Sequence, residues 1–411
     1  MKTDLDALMQ ENGLDALLIT GPALHNPAMV YMTGGAHLTS GDLIKKRGET
    51  PVLFYNPMER DEAAKSGFIT KNLAEYQFTE LLSQANGEYA LAYARRYQRM
   101  LDDCGIEHGK VALYGRSEIG AYYAILATLQ HEIPGIELVG EINNSVMMLA
   151  RMTKEAPEIE RIRQMGKITT QVVGLVADYI TSQHNQNGTL IKSNGDPLTI
   201  GDVKRKINLW LSERGAENPE DTIFAIGRDA GVPHSSGNLA DPLRLGQTIV
   251  FDIYPCEAGG GYFYDFTRTW CLGYAPDEAL AVYETVLSAY RQITSKLQAG
   301  RPFKDYQEMA CDIFSAQGHP TIRENPQAQR GYVHSLGHGI GLNVHERPWS
   351  GTSSDDKDIL VPGVVFTLEP GLYYPDQGMG VRLEDSLWVT PDGRMEVLAD
   401  YPMDMVLPVR V

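Results

Sequence analysis

The chain has 411 residues, 43% of them hydrophobic and 22% charged, with a formal net charge of −17. That length allows two or three domains and the composition is that of an ordinary globular protein. The acidity excludes nucleic acid and anionic membrane as the main partner.

MKTDLDALMQENGLDALLIT carries acids among its early apolar residues and lacks the apolar core of a signal peptide. No run approaches the roughly 18 apolar residues of a membrane span. Residues 4–13 predict a short amphipathic helix, ALLIT a strand, PVLFYN at 51–56 a second strand and the stretch around 57–66 a helix. Lys45, Lys46 and Arg47 form a basic run expected on a solvated loop. Strand and helix signals alternate up to IELVGEINN at 136–144, which predicts an α/β domain over residues 1–150. Pro157 suits a first helical turn, and Ile159, Ile162, Met165 and Ile168 or Thr169 continue a helical stripe. That helix opens a second domain, 151–411, with further helices expected near 199–214, 277–298 and 303–317 and strands elsewhere. Cys104, Cys256, Cys271 and Cys311 have neither zinc-site nor dense disulfide spacing, so free thiols and a cytoplasmic location are expected.

The chemistry gathers in the second domain. Asp252 in TIVFDIYPCE and Asp265 in GYFYDFTRTW flank the run Gly259, Gly260, Gly261. Glu369 in VVFTLEPGLYY and Glu384 in GVRLEDSLWV flank YPDQGMG. A bulge-free hairpin centred near 258 and 259 sets Asp252 opposite Asp265, and one centred near 376 and 377 sets Glu369 opposite Glu384. Opposed strand residues have β-carbons about 4.5–5.5 Å apart, where like charges destabilise. One such pair could be two exposed strand acids; two pairs call for cations between them. The paired hairpins also hint at an internally duplicated α+β domain with an antiparallel sheet.

Between the pairs lies HSLGHGIGLNVHE, residues 334–346, with His334, His338 and His345 interleaved with Gly337, Gly339 and Gly341. Packing does not call for that pattern, whereas glycines let a backbone approach a ligand. GHGIGL lacks the GxGxxG spacing and strand–turn–helix setting of a dinucleotide loop. His234 follows Pro233 ahead of the first aspartate strand, and Arg382 shares a strand face with Glu384. Arg382 either binds a substrate carboxylate or balances the acids. Four carboxylates with one clear histidine ligand, His338, make a mainly oxygen-donor site for two divalent ions, Mn or Co first, Zn or Fe as alternatives.

Together these residues resemble the pita-bread metallopeptidases, which include methionine aminopeptidase, aminopeptidase P, prolidase and the metal-free creatinase. The family's ligand order Asp, Asp, His, Glu, Glu is matched at Asp252, Asp265, His338, Glu369 and Glu384. HSLGHGIGLNVHE and VRLED resemble the proline-specific branch, and residues 1–150 resemble a creatinase-type N-terminal domain in size and position. The chain departs from the pattern after its first ligand, where Ile253, Tyr254 and Pro255 replace the common x-Gly.

The resemblance implies a homodimeric exopeptidase that removes the N-terminal residue of a short peptide, with proline second. Glu369 then relays the proton of an attacking water, besides being a ligand. His234 and His345 stabilise the oxyanion, and His334, His345 and Arg382 hold the substrate. Two competitors stand beside it. One is a metal-dependent hydrolase or lyase of a small non-peptide compound; the other is a binding module on an inactive peptidase scaffold, for which lost ligands would be the signature.

Overall fold

The computed structural model describes residues 4–409. Its contacts divide into two units, one running to Arg151 and including Gly259–Gly261, the other comprising Met152–Ala258 and the chain from Tyr262 onward.

In the first unit a six-stranded mixed sheet has Ala16–Gly21 at its centre. That strand runs parallel to Gly109–Gly115 on one side and antiparallel to Gly41–Lys46 on the other. Ala16, Leu17, Leu18 and Ile19 are all buried, as expected where helices cover both faces. The helix Leu5–Glu11 forms where predicted, with Leu5 and Met9 turned inward. The basic run is a correction: Lys45 is 0% exposed within a strand. Its Nζ donates to Asp6 Oδ1 at 2.6 Å, Glu49 O at 2.7 Å and Lys46 O at 2.9 Å, and these acceptors offset the desolvation of the ammonium. Arg47 pairs with Asp15.

The second unit opens with the helix Ala156–Thr181, which buries Ile159, Ile162, Met165 and Thr169. Pro157 sits in its first turn, and the Glu158 carboxylate accepts the Glu155 N–H at 2.7 Å. Ile200–Ser212 follows, with Thr199 and Asp202 forming a capping box. One antiparallel sheet contains Ile223–Ile226, Thr248–Ile253 and Phe266–Leu272. Another contains His338–Gly339, Glu346–Trp349, Val365–Leu368 and Asp385–Val389. The helices Asp277–Thr294 and Lys304–Ala316 pack Val286, Ile293 and Phe314 into one core with Phe366, Leu368, Val381 and Leu387. That core backs the strands that flank Glu369 and Glu384.

Candidate active site

Asp252 belongs to Thr248–Ile253, paired with Phe266–Leu272. The predicted direct opposition of Asp252 and Asp265 is not found: Asp252 faces Thr267, and Asp265 lies just before the second strand. The cause is the glycine run. Gly259 and Gly260 make the turn, with φ of 94° and 84°, one position later than expected. Moving a turn centre by one moves every partner by two, and a shift of two leaves each side chain on its original face. Both aspartates therefore still reach the same cavity.

The glutamate hairpin keeps its predicted register. Leu368 pairs with Asp385 in one ladder and Gly371 with Arg382 in the next, which sets Glu369 opposite Glu384 in the gap between them. Pro370, without an N–H, lies in that gap, and its carbonyl accepts from Leu383 N–H at 3.3 Å. A bridge between Thr267 and Glu384 joins the two hairpins. Thr269 reinforces it, its hydroxyl accepting from Arg382 N–H and donating to Arg382 O, both at 2.9 Å.

His338 is turned by its neighbours. Its N–H donates to Thr367 Oγ1 at 3.1 Å, and ring Nδ1 lies 3.1 Å from Gly339 O. A carbonyl only accepts, so Nδ1 carries the proton and Nε2 presents its lone pair to the acids. Nε2 is 3.4 Å from Glu369 Oε1 and 3.7 Å from Asp265 Oδ2. Asp265, His338 and Glu384 each place a donor atom within 4.8 Å of the others. Asp252 Oδ1, Asp265 Oδ1 and Glu384 Oε1 are buried without a hydrogen-bond partner. Orphaned buried carboxylate oxygens are costly, and with the histidine lone pair they form a donor set that fits a divalent cation. Glu384 Oε2 is held by the Thr267 hydroxyl at 2.6 Å.

Asp252, Asp265, His234, His334, His338, His345, Glu369, Arg382 and Glu384 all line one cavity of about 250 Å³. Burial pushes the Glu369 carboxyl up to about 8, against the lowering pull of Arg382 and with a smaller push from Asp252. Burial, reinforced by crowded acids, also raises Asp265 and Glu384 well above the usual carboxylate range. The histidines move the other way: burial takes His338 down to about 3 and lowers His234, His334 and His345. The rings interlock, His234 Nε2 lying 3.0 Å from His334 Nε2 and the His338 and His345 centroids 4.3 Å apart. His334 Nδ1 is 3.2 Å from Glu369 Oε2.

Arg382 meets several acceptors at once. Its guanidinium donates to Asp252 Oδ2, to Tyr373 Oη at 2.8 Å, to Pro233 O at 3.1 Å and to Thr267 Oγ1 at 3.3 Å. Its contact with Asp252 sets a positive charge among the acids of the cavity. Thr267, Thr367 and Tyr373 support the site without having been singled out from sequence. Strand alternation carried the signal for two of them, since Thr267 follows Asp265 and Thr367 precedes Glu369 by one period. Glu220 and Asp221 also reach the cavity, from a loop with no periodic pattern to reveal them.

A model of metallopeptidase family M24 matches residues 160–391. The chain belongs to that family. Xaa-Pro dipeptidase of Pyrococcus horikoshii is 26% identical over 389 residues, covering 94% of this chain and 93% of the relative. Xaa-Pro dipeptidase of Pyrococcus furiosus is 30% identical over 245 residues, 59% of this chain and 62% of the relative. A crystal structure of a dipeptidase from Pyrococcus horikoshii superposes with a TM-score of 0.74 at 22% identity, covering 98% of both chains. The M24 chain thus has the pita-bread fold of its structural neighbours, preceded by an α/β region.

Proposed function

We propose that this metallopeptidase is a dinuclear exopeptidase that removes the N-terminal residue from short peptides with proline second. The observation that carries this reading is the convergence of four carboxylates and His338 in one cavity, with three carboxylate oxygens left unpartnered. The names of the Pyrococcus relatives support the Xaa-Pro preference. Residues 1–150 are read as a creatinase-type domain and 151–411 as the catalytic domain. A homodimer and a cytoplasmic location go with this reading; among the described residues no helix is long and apolar enough to cross a membrane.

Asp252, Asp265, His338, Glu369 and Glu384 would hold two divalent ions, Mn or Co in first place and Zn or Fe after them. Such ions polarise the scissile carbonyl and lower the pKa of the attacking water. Glu369 takes up that water's proton and returns it to the leaving nitrogen. An Xaa-Pro nitrogen carries no proton of its own, so this return is required for departure. Neutral His345 donates to the developing oxyanion. His334 gives its Nδ1 proton to Ser335 O, so its Nε2 accepts from His234 Nε2–H, which braces His234 at the substrate's side of the cavity. The acids of the cavity suit a free α-ammonium, which favours attack at the N-terminal end. Arg382 secures Asp252.

The test is a metal-reconstituted assay on dipeptides, tripeptides and longer peptides with and without proline second. Turnover confined to Xaa-Pro substrates is the expected result. No turnover of any peptide by the loaded protein would transfer the site to a small non-peptide substrate.

A further inference from the structure

We propose that Lys154, acting through Glu346, is the positioning residue for the loop that presents His338 and His345 to the cavity. The inference deepens the peptidase reading and rests on it for its kinetic arm. The chain leaves the sheet at Gly339 and re-enters at its partner Glu346, with a register shift beside His338. Residues 340–345 form the excursion, and His345 is its last member. Inside the bend, Glu346 Oε1 accepts the Asn343 N–H at 3.1 Å. Glu346 Oε2 faces Lys154 Nζ at 3.2 Å, and both side chains are 1% exposed.

Lys154 is itself anchored. Its N–H donates to Gly363 O at 2.7 Å, and Thr153 bridges Val364, so the lysine is fixed to the chain entering the Glu369 strand. The loop lies directly on the pair: a Cβ at Gly341 would fall 2.5 Å from Glu346 Oε2 and 2.9 Å from Lys154 Cε. The carbonyl of Gly339, where the excursion begins, accepts from the His338 ring, and the Val344 backbone near its other end also bears on that ring. A shift of the loop therefore rotates His338 and displaces His345 together. Neither Lys154 nor Glu346 lines the cavity, so their influence passes through those histidines.

A buried ion pair is a weak source of stability, since desolvation of both charges offsets their attraction. What this pair supplies is direction, because Glu346 receives an N–H from the loop on one oxygen and Lys154 on the other. Groups that hold a metal-ligating histidine through its second nitrogen commonly change metal affinity or activity by about 10–100-fold when removed.

The experiment compares the parent with Lys154→Met and with the charge-neutral double variant Lys154→Met/Glu346→Gln. Removing both charges avoids an unpaired buried carboxylate, so the double variant keeps the test alive should the single one fail to fold. The double variant is expected to melt within a few degrees of the parent yet bind Mn²⁺ about 10–100-fold more weakly in calorimetric titration. For kcat/KM on Ala-Pro, Lys154→Met in a His345→Ala background is expected to cost less than the product of the two separate losses. A folded neutral double variant with parental Mn²⁺ affinity overturns the proposal, as do strictly multiplicative losses with His345→Ala. A parent that binds Mn²⁺ but cleaves no peptide sinks the peptidase reading alone, because the cation titration needs no substrate.

Discussion

Arg382 donates from its Nη2 to Oδ2 of Asp252, with both side chains buried among the other acids. The same guanidinium is steadied by Tyr373, Thr267 and Pro233. One oxygen of Asp252 is thereby committed, while Oδ1 is left without a partner and available to a cation. Arg382→Ala is accordingly expected to weaken divalent-cation binding by about 10–100-fold, as loss of a group that orients a ligand does. Arg382→Lys should not rescue it, because a lysine cannot reproduce the fork that meets several acceptors at once. Calorimetric titration beside Michaelis kinetics decides the matter. Parental cation affinity with only a raised KM for dipeptides would return Arg382 to the role of substrate clamp.

Cation-free stability should fall as pH rises from about 6.5 to 8. Glu369 is raised to about 8 in the fold, above the 4.5 of its unfolded value. Between those values the folded chain holds a proton that the unfolded chain has lost, so stability declines as pH climbs. Asp265 and Glu384, also raised, act in the same direction. His338 opposes them lower down: held at about 3 against 6.5 unfolded, it contributes stability that is present above 6.5 and lost as pH falls. His234, His334 and His345, also lowered by burial, act in the same sense as His338; above the unfolded 6.5 these contributions level off and the raised carboxylates set the slope. Thermal melts of stripped protein across this window should show a falling midpoint, and saturating Mn²⁺ should reverse it by displacing the protons. A midpoint that climbs through the window without metal would contradict the buried, protonated carboxyls.

Much of this site could be read before folding was considered. The helical stripe from Ile159 to Thr169 is local, and so is the alternation that puts Arg382 on the face of Glu384. The register of the glutamate hairpin was legible because YPDQGMG has one compact centre. The aspartate hairpin was not, since three adjacent glycines permit more than one turn centre and only the packed structure selects Gly259 and Gly260. Lys45 was misplaced for a different reason: its carboxylate partner, Asp6, comes from a helix 39 positions away. The Lys154 and Glu346 pair spans 192 positions and leaves no periodic trace.

Glu384 should be indispensable to the cation site. It contributes an unpartnered Oε1 while Oε2 is held at 2.6 Å by Thr267. Glu384→Ala is expected to abolish peptidase activity and eliminate binding of at least one ion. Thr267→Val, which removes only the hydroxyl that aims the carboxylate, should retain the fold and lose about 10-fold in cation affinity. Metal content by atomic emission, read with circular dichroism, separates the two effects. Full activity in Glu384→Ala would remove this residue from the ligand set.

Tyr254, two residues after Asp252, lines the same cavity as Asp252 and His345. With only about 250 Å³ of space, the cavity favours small substrates, and a tyrosine in its wall takes volume that a large N-terminal side chain would need. Parent enzyme should therefore prefer Ala-Pro to Phe-Pro. Tyr254→Gly should raise kcat/KM for Phe-Pro relative to Ala-Pro by about 10-fold or more, the scale on which a hydrophobic pocket distinguishes substrates by shape. The proline preference is a separate matter, read from Ala-Pro against Ala-Ala in both proteins. A Phe-Pro to Ala-Pro ratio unchanged by Tyr254→Gly would show that this side chain does not limit the substrate. Equal rates on Ala-Pro and Ala-Ala in the parent would discard the proline preference while leaving the cation site untouched.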